Sequence, residues 1–192
     1  MKKDIILCGV GGQGILSIAT IIGEAATKAG LHLKQAEVHG MSQRGGDVQS
    51  NLRLSTGDIN SDLIALGQAD MIISMEPMEA LRYLPYLAPD GCIVTSSQPF
   101  VNIPNYPDEA ALKAELDKLP RVFSLPIQDM AKEHSVPKSA NVILLGMAAP
   151  HLGILSAEDL KAAVGRVFAR KGEDIVNANI KALELGIKGS ES

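Results

Sequence analysis

The sequence predicts an α/β fold: a Rossmann-like, doubly wound, mostly parallel sheet with an inserted antiparallel hairpin and C-terminal helices. Three observations predict it. Short apolar runs such as Ile5-Ile6-Leu7-Cys8 alternate with segments of helical periodicity, as strands buried on both faces alternate with the helices that cover them. A glycine loop, Gly9-Val10-Gly11-Gly12-Gln13-Gly14, stands between the first such run and the first helical segment. The core has to be aliphatic, because the chain has no Trp, three Tyr and three Phe.

The first strand is Ile5–Cys8. After the glycine loop, Ile15, Ile18, Ala19, Ile22, Ala25, Ala26 and Ala29 recur at helical spacing, and Gly30 stands where a helix stop belongs. Leu31–Val38 reads as the second strand. In Asp47–Leu54 the apolar Val48, Leu52 and Leu54 alternate with Gln49, Asn51 and Arg53, the pattern of a half-exposed antiparallel strand. Ser55-Thr56-Gly57-Asp58 is a turn cluster, and Ile59–Ile64 is expected to return as the partner strand of an inserted hairpin.

Ala69–Met75 reads as a further buried strand. Pro77 opens a helix expected to reach Leu87, with Glu76 and Glu79 near its positive end. Pro89-Asp90-Gly91 turns into the strand Cys92–Thr95. Residues 96–107 carry Pro99, Pro104 and Pro107, too many for regular structure. Asp108 caps a helix to Leu119, Arg121–Leu125 is a short strand, and Ile127–Ser135 is a helix. Ala140–Leu152 is apolar nearly all round, which marks a buried helix. Ser156-Ala157-Glu158-Asp159 caps a helix to Arg170, and Gly172–Leu185 is a last amphipathic helix. One domain over residues 1–187 and a loose tail over 188–192 follow from this reading.

Composition narrows the classes of function. The net charge is −4 and the basic residues are scattered, which argues against nucleic-acid binding and against a polybasic membrane surface. Two cysteines, Cys8 and Cys92, are too few for a disulfide framework. Without a C-x-x-C pair they seed no zinc or iron–sulfur site, and each lies in an apolar run that predicts a buried thiol. The start, Met-Lys-Lys-Asp, leads straight into a strand, and there is no run of 18 apolar residues, so a cytoplasmic protein is expected.

The glycine loop has a geometric rationale. Gly9 permits the tight turn, Gly11 lets the backbone approach a diphosphate, and Gly14 lets helix and strand pack closely, with the helix N-terminus facing the anion. Glycines that serve only packing, or the approach of a partner chain, remain the alternative. A nicotinamide dinucleotide site needs an acid about 20 residues past the last glycine, and Glu37 stands near that distance. The second dense stretch is Glu37-Val38-His39-Gly40-Met41-Ser42-Gln43-Arg44-Gly45-Gly46. Its glycines allow a tight fold, and Arg44 can clamp a phosphate or carboxylate. His39 reads either as a donor to a ligand or as a hydrogen-bonded structural histidine. His32, His134 and His151 are isolated. No metal-ligand spacing and no nucleophile–base set is visible.

The order Gly-x-Gly-Gly-x-Gly also occurs in adenylating domains of the ubiquitin-activating type, but their zinc-binding C-x-x-C pairs are missing here. Gly9–Gly14, Glu37–Gly46 and Arg53 together resemble the gamma-type subunits of the 2-oxoacid:ferredoxin oxidoreductases, in particular the small (beta) subunits of the indolepyruvate type. Residues 79–87 and 139–146 are similar to that family too, and the resemblance spans about Lys3 to Gly186. It implies a cluster-free subunit of a complex that oxidatively decarboxylates an aryl pyruvate or related 2-oxoacid to an acyl-coenzyme A, passing electrons to ferredoxin. It implies that thiamine diphosphate, Mg and iron–sulfur clusters reside on a larger partner subunit, through which ferredoxin is reached, and that this chain is inactive alone. Coenzyme A is the ligand implied for this chain, with Gly9, Gly11, Gly12, Gln13, Gly14 and Arg44 as its cradle. Glu37, His39, Gly40, Met41, Gln43, Gly45, Gly46 and Arg53 would face the partner or the substrate pocket. An assembly module without ligand, and a free-standing nicotinamide-binding protein, are the other readings.

Overall fold

Ile5, Ile6, Leu7 and Cys8 are fully buried because their strand lies in the middle of a sheet with helices on both faces. The computed structural model describes residues 1–39 and 45–190, the side chain of His39 excepted. Six strands form one sheet: β1 (Lys2–Val10), β2 (His32–His39), β3 (Asp47–Ser55), β4 (Ala69–Ser74), β5 (Leu87–Ser96) and β6 (Val122–Leu125). Their order is β2-β3-β1-β4-β5-β6. Strands β1, β4, β5 and β6 run parallel, while β3 lies antiparallel between β1 and β2.

The inserted hairpin therefore exists, but its arms are β2 and β3. Ile59–Ile64 is not a strand. The reason lies in two side chains of β3 that take the backbone groups a ladder would use. Arg53 Nη1 donates to the carbonyls of Ser61 and Leu63 at 3.0 and 3.2 Å, and Asn51 Oδ1 accepts the amide of Ile64 at 3.0 Å. Of that segment only Ile64 is buried, so nothing anchors a strand there.

Among the described residues, seven α-helices cover the sheet unequally. On one face α1 (Ile15–Lys28), α4 (Ile127–Glu133), α5 (Ala140–Leu152), α6 (Ala157–Phe168) and α7 (Glu173–Ser190) pack against Ile5, Leu7, Leu52, Met71, Ile73 and Val94. On the other face α2 (Pro77–Arg82) packs Ala80, and Tyr83 just past its end, against Ile6, Cys8, Ile72 and Ile93. Beside α2 lies α3 (Glu109–Asp117).

Caps act where the sequence puts them. Asp108 Oδ1 accepts from the amides of Ala110 and Ala111. Ser156 and Asp159 form a reciprocal capping box. Helix α2 is shorter than its pattern suggests. Pro85 cannot supply the next helical N–H, so the chain tightens into a 3-10 turn at Leu84–Tyr86 and enters β5 at Leu87. Helix α7 is longer than expected and runs through Ser190, so Lys188–Ser190 are helical rather than a tail. Gly186, just past the expected end at Leu185, lies inside α7 against α5.

Candidate functional site

The loop after β1 is held by its own glutamine. Gln13 Oε1 accepts the amide of Val10 at 2.7 Å, Gln13 Nε2 donates to the carbonyl of Met75 at 3.5 Å, and the Gln13 amide donates to the carbonyl of Val10 at 3.1 Å. A Cβ on Gly9 would lie 2.9 Å from Gln13 Oε1 and 3.1 Å from Ile15, so this glycine is required by close approach. Gly14 is the N-cap of α1, with φ 81° and no side-chain cap. Asn141, in the first turn of α5, donates from Nδ2 to the Gly14 carbonyl at 3.0 Å. The first turn of α1 holds no acid, so its positive end is left for another anion.

This loop and the one after β4 meet at the switch point of the sheet. From β1 the chain crosses on one face to β2, and from β4 it crosses on the other face to β5. The Met75 amide donates to the carbonyl of Cys8 at 3.1 Å, which joins the two loops behind Gln13. Ligands on open α/β sheets sit in such a crevice, beyond the carboxyl ends of the strands.

The second glycine stretch is delivered to the same place by β3. Strands β1 and β3 pair from Lys2–Ser55 to Val10–Asp47. The next rung is made by the glycines themselves. The Gly11 amide donates to the Gly46 carbonyl at 2.8 Å, and the Gly45 amide faces the Gly11 carbonyl at 3.5 Å. Gly11, Gly12, Gln13 and Gly14 thus lie at one edge with Gly45 and Gly46, whereas Gly9 is buried. Gly40, Met41, Gln43 and Arg44, and the side chain of His39, lie outside the described residues.

Two expected members lie elsewhere. Arg53 is not at the loops. It pairs with Asp4 near the opposite end of β1, through Nε–Oδ1 at 2.8 Å and Nη2–Oδ2 at 3.1 Å. Glu37 pairs with Ser50, which itself pairs with Leu7, so it sits beside the body of the sheet rather than at the loop edge. Strand β3 also separates β2 from β1 by one further strand.

The structure adds residues that no sequence motif joins. Glu76 and Glu79 are buried under the loop edge. Glu76 Oε1 accepts from the Tyr106 hydroxyl and from the Phe100 amide, and Oε2 accepts the Glu79 amide at 2.9 Å. Burial raises the Glu79 carboxyl above its ordinary value, although the hydrogen bond from Arg82 opposes the rise. Tyr83 donates to Asp47 at 3.3 Å, and burial first, then the Asp47 charge, holds its phenol protonated. Tyr106 lies 30 residues from Glu76 in the chain, a separation no motif signals.

Chemically, this edge can bind and orient. Burial raises the Cys8 thiol far above its ordinary value, so it is no nucleophile near neutral pH, and burial raises Cys92 as well. No group of three or more His, Cys, Asp or Glu among the described residues could hold a metal ion.

Fold and edge together define a Rossmann-like α/β protein whose switch-point edge is built from paired backbone loops. The profile of the pyruvate ferredoxin/flavodoxin oxidoreductase family matches residues 4–189, and the chain belongs to that family. Indolepyruvate oxidoreductase subunit IorB of Pyrococcus horikoshii is 35% identical over 201 residues, covering 100% of this chain and 98% of that protein. The subunit of the same name from Archaeoglobus fulgidus is 34% identical over 194 residues, covering 97% and 94%. Among solved structures, the gamma subunit of a keto/oxoacid ferredoxin oxidoreductase from Geobacter sulfurreducens superposes with a TM-score of 0.72. It is 25% identical, with 98% of each chain covered.

Proposed function

We propose that this chain is the cluster-free small subunit of an indolepyruvate, or related 2-oxoacid, ferredoxin oxidoreductase. The observation that carries the reading is the Gly11–Gly46 rung, which fuses two glycine loops into one backbone cradle at the switch point. Similarity over nearly the full length of subunits named for indolepyruvate oxidation gives the cradle its context. The reaction is the oxidative decarboxylation of a 2-oxoacid to an acyl-coenzyme A, with electrons passed to ferredoxin. Thiamine diphosphate, Mg and iron–sulfur clusters belong to the large partner subunit in this reading.

Coenzyme A fits the cradle in kind. A Cβ on Gly12 would meet nothing within 4 Å, so the loop tip faces open space, and the acid-free first turn of α1 lies next to it. Gly11, Gly12, Gln13 and Gly14 would present backbone to the diphosphate, with Gly9 shaping the turn, and Arg44 would add its charge. The bound coenzyme would supply the acyl acceptor, and this chain's own part is to hold and orient it. No helix among the described residues is long and apolar enough to cross a membrane, which accords with a cytoplasmic complex.

The nicotinamide alternative lacks its geometry. Dinucleotide sites place the acid at the end of the strand beside β1. Here β3 occupies that position, and Glu37 lies level with Leu7.

Co-expression with the thiamine- and cluster-binding subunit tests the proposal. The complex should reduce ferredoxin with indolepyruvate only when coenzyme A is present, and neither chain should do so alone. Arg44→Ala and Gly12→Ala should raise KM for coenzyme A while assembly survives. A KM unchanged in both variants would transfer the loops to the assembly reading. Activity of the large subunit alone would refute the subunit role.

A further inference from the structure

Residues 97–107 join β5 to α3 across the edge where the glycine loops lie. They include three prolines and no charged side chain. The start of this strap is fixed by Gln98, whose Oε1 accepts the amides of Gln128 and Asp129 at 2.8 and 3.1 Å. Its middle and far end converge on one carboxylate. Glu76 is 0% exposed, and its Oε1 accepts the Phe100 amide at 3.3 Å and the Tyr106 hydroxyl. Between those two contacts, Asn102 Nδ2 donates to the Gly45 carbonyl at 2.8 Å. The Gly45 amide in turn faces Gly11.

A carboxylate removed from water persists only when donors surround it. Glu76 therefore fixes whatever supplies its donors, and two of its three come from the strap. The Tyr106 phenol is held above its ordinary value, by burial first and by its bond to Glu76 second, so it remains a donor.

We propose that Glu76 is a positioning residue for the paired glycine loops. By holding Phe100 and Tyr106 it sets the strap so that Asn102 fixes Gly45, and through Gly45 the Gly11 backbone. The path uses hydrogen bonds of this chain alone and requires no ligand, so it stands or falls apart from the function proposed above.

Amide exchange by NMR on the full isotope-labelled chain tests it. Tyr106→Phe keeps the ring and removes one donor. The Gly11 and Gly45 amides should then exchange about tenfold faster, as expected for loss of one hydrogen bond to a charged group. Amides of α5 and α7 should be unaffected. Asn102→Ala should accelerate the same two glycines while the Phe100 amide stays protected. With Asn102→Ala present, adding Tyr106→Phe should cause no further acceleration at Gly11 or Gly45. Glu76→Gln should act at least as strongly as Tyr106→Phe. If it does not fold, the other two variants decide by themselves. Unchanged glycine exchange in Tyr106→Phe, acceleration spread through α5 and α7, or simple additivity of the two variants would overturn the proposal.

Discussion

The Gly11 amide donates to the Gly46 carbonyl at 2.8 Å and thereby adds one rung to the β1–β3 ladder beyond Val10–Asp47. This contact gives the antiparallel strand β3 its significance. A plain β1–α1–β2 crossover would place β2 beside β1, but here β3 takes that place and β2 is moved to the edge of the sheet. With β3 inserted, the residues just before Asp47 are carried back onto the loop that follows β1.

The two positive-φ glycines of that loop should respond differently to alanine. Gly12 has φ +101° with nothing within 4 Å of an added Cβ, so Gly12→Ala carries backbone strain alone, about 1–3 kcal/mol. Gly14 has φ +81°, and an added Cβ would lie 2.7 Å from Asn141 Nδ2. Gly14→Ala should cost more, and the excess should shrink in an Asn141→Ala background. Urea unfolding of the four variants measures this, and equal single-variant costs would show that Asn141 yields freely.

Gln13 should be the loop's structural side chain. Gln13→Leu leaves the buried Val10 amide without its acceptor at 2.7 Å and should cost about 1–3 kcal/mol. Gln13→Glu retains an oxygen there and should cost less. If denaturant midpoints show the two variants equally stable, the hydrogen bond is not what shapes the turn.

Arg53 should act on stability, with a pH signature. Burial pushes the Asp4 carboxyl up, but hydrogen bonds and charge from Arg53 and Lys2 outweigh it and leave it below the usual value. The folded value is thus depressed. Its stabilisation is fully present above the unfolded value of about 3.9 and is lost as pH falls through the folded value. Arg53→Ala leaves only Lys2 paired with a carboxylate whose side chain is 2% exposed, at a cost of about 1–3 kcal/mol near neutral pH. Protonating Asp4 relieves that penalty, so the gap to wild type should narrow below about pH 4. Thermal melts from pH 3 to pH 8 decide it, and a gap constant across that range would contradict the assignment.

Elements were legible where a local pattern and a tertiary role agreed. Ile5–Cys8, the Asp108 cap, the Ser156–Asp159 box and the largely apolar Ala140–Leu152 helix each carry their reason within a few residues. Elements were misread where the deciding partner is remote. Ile59–Ile64 has strand-like residues, but Asn51 and Arg53 claim its backbone. The candidate site divides the same way. The glycine loops are visible as motifs, whereas their pairing depends on where β3 lies. Glu76 reads as an ordinary acid at a helix start, because Phe100, Tyr106 and Asn102 come from a loop whose course no periodicity describes. Family pattern groups Arg53 with the loops, whereas its register opposite Asp4 takes it away from them.

Helix α7 continues past the expected end at Leu185 through Ser190, and Gly186 lets it lie against α5. A Cβ on Gly186 would come within 1.9 Å of the Ile143 carbonyl oxygen, and one on Gly146 within 2.1 Å of the Leu183 carbonyl oxygen. Both obstacles are helix backbone, which cannot swing aside as a side chain can, so either alanine must push the two helices apart. Leu144, Leu145, Ala182 and Leu183 are buried around this crossing, so separation would loosen their packing. Overpacking of this kind costs about 1–3 kcal/mol and more where backbone must move. That exceeds the fraction of a kcal/mol to about 1 kcal/mol that alanine gains over glycine within a helix. Gly146→Ala and Gly186→Ala should therefore each lower the urea midpoint. The double variant should cost less than the sum, because one displacement of α7 accommodates both methyl groups. A half-buried helical glycine with open space at its Cβ position supplies the control. Gly165 in α6 has nothing within 4 Å of its Cβ position, so Gly165→Ala should stabilise the protein slightly. If all three alanines shift the midpoint in the same direction, contact between α5 and α7 is not what requires Gly146 and Gly186.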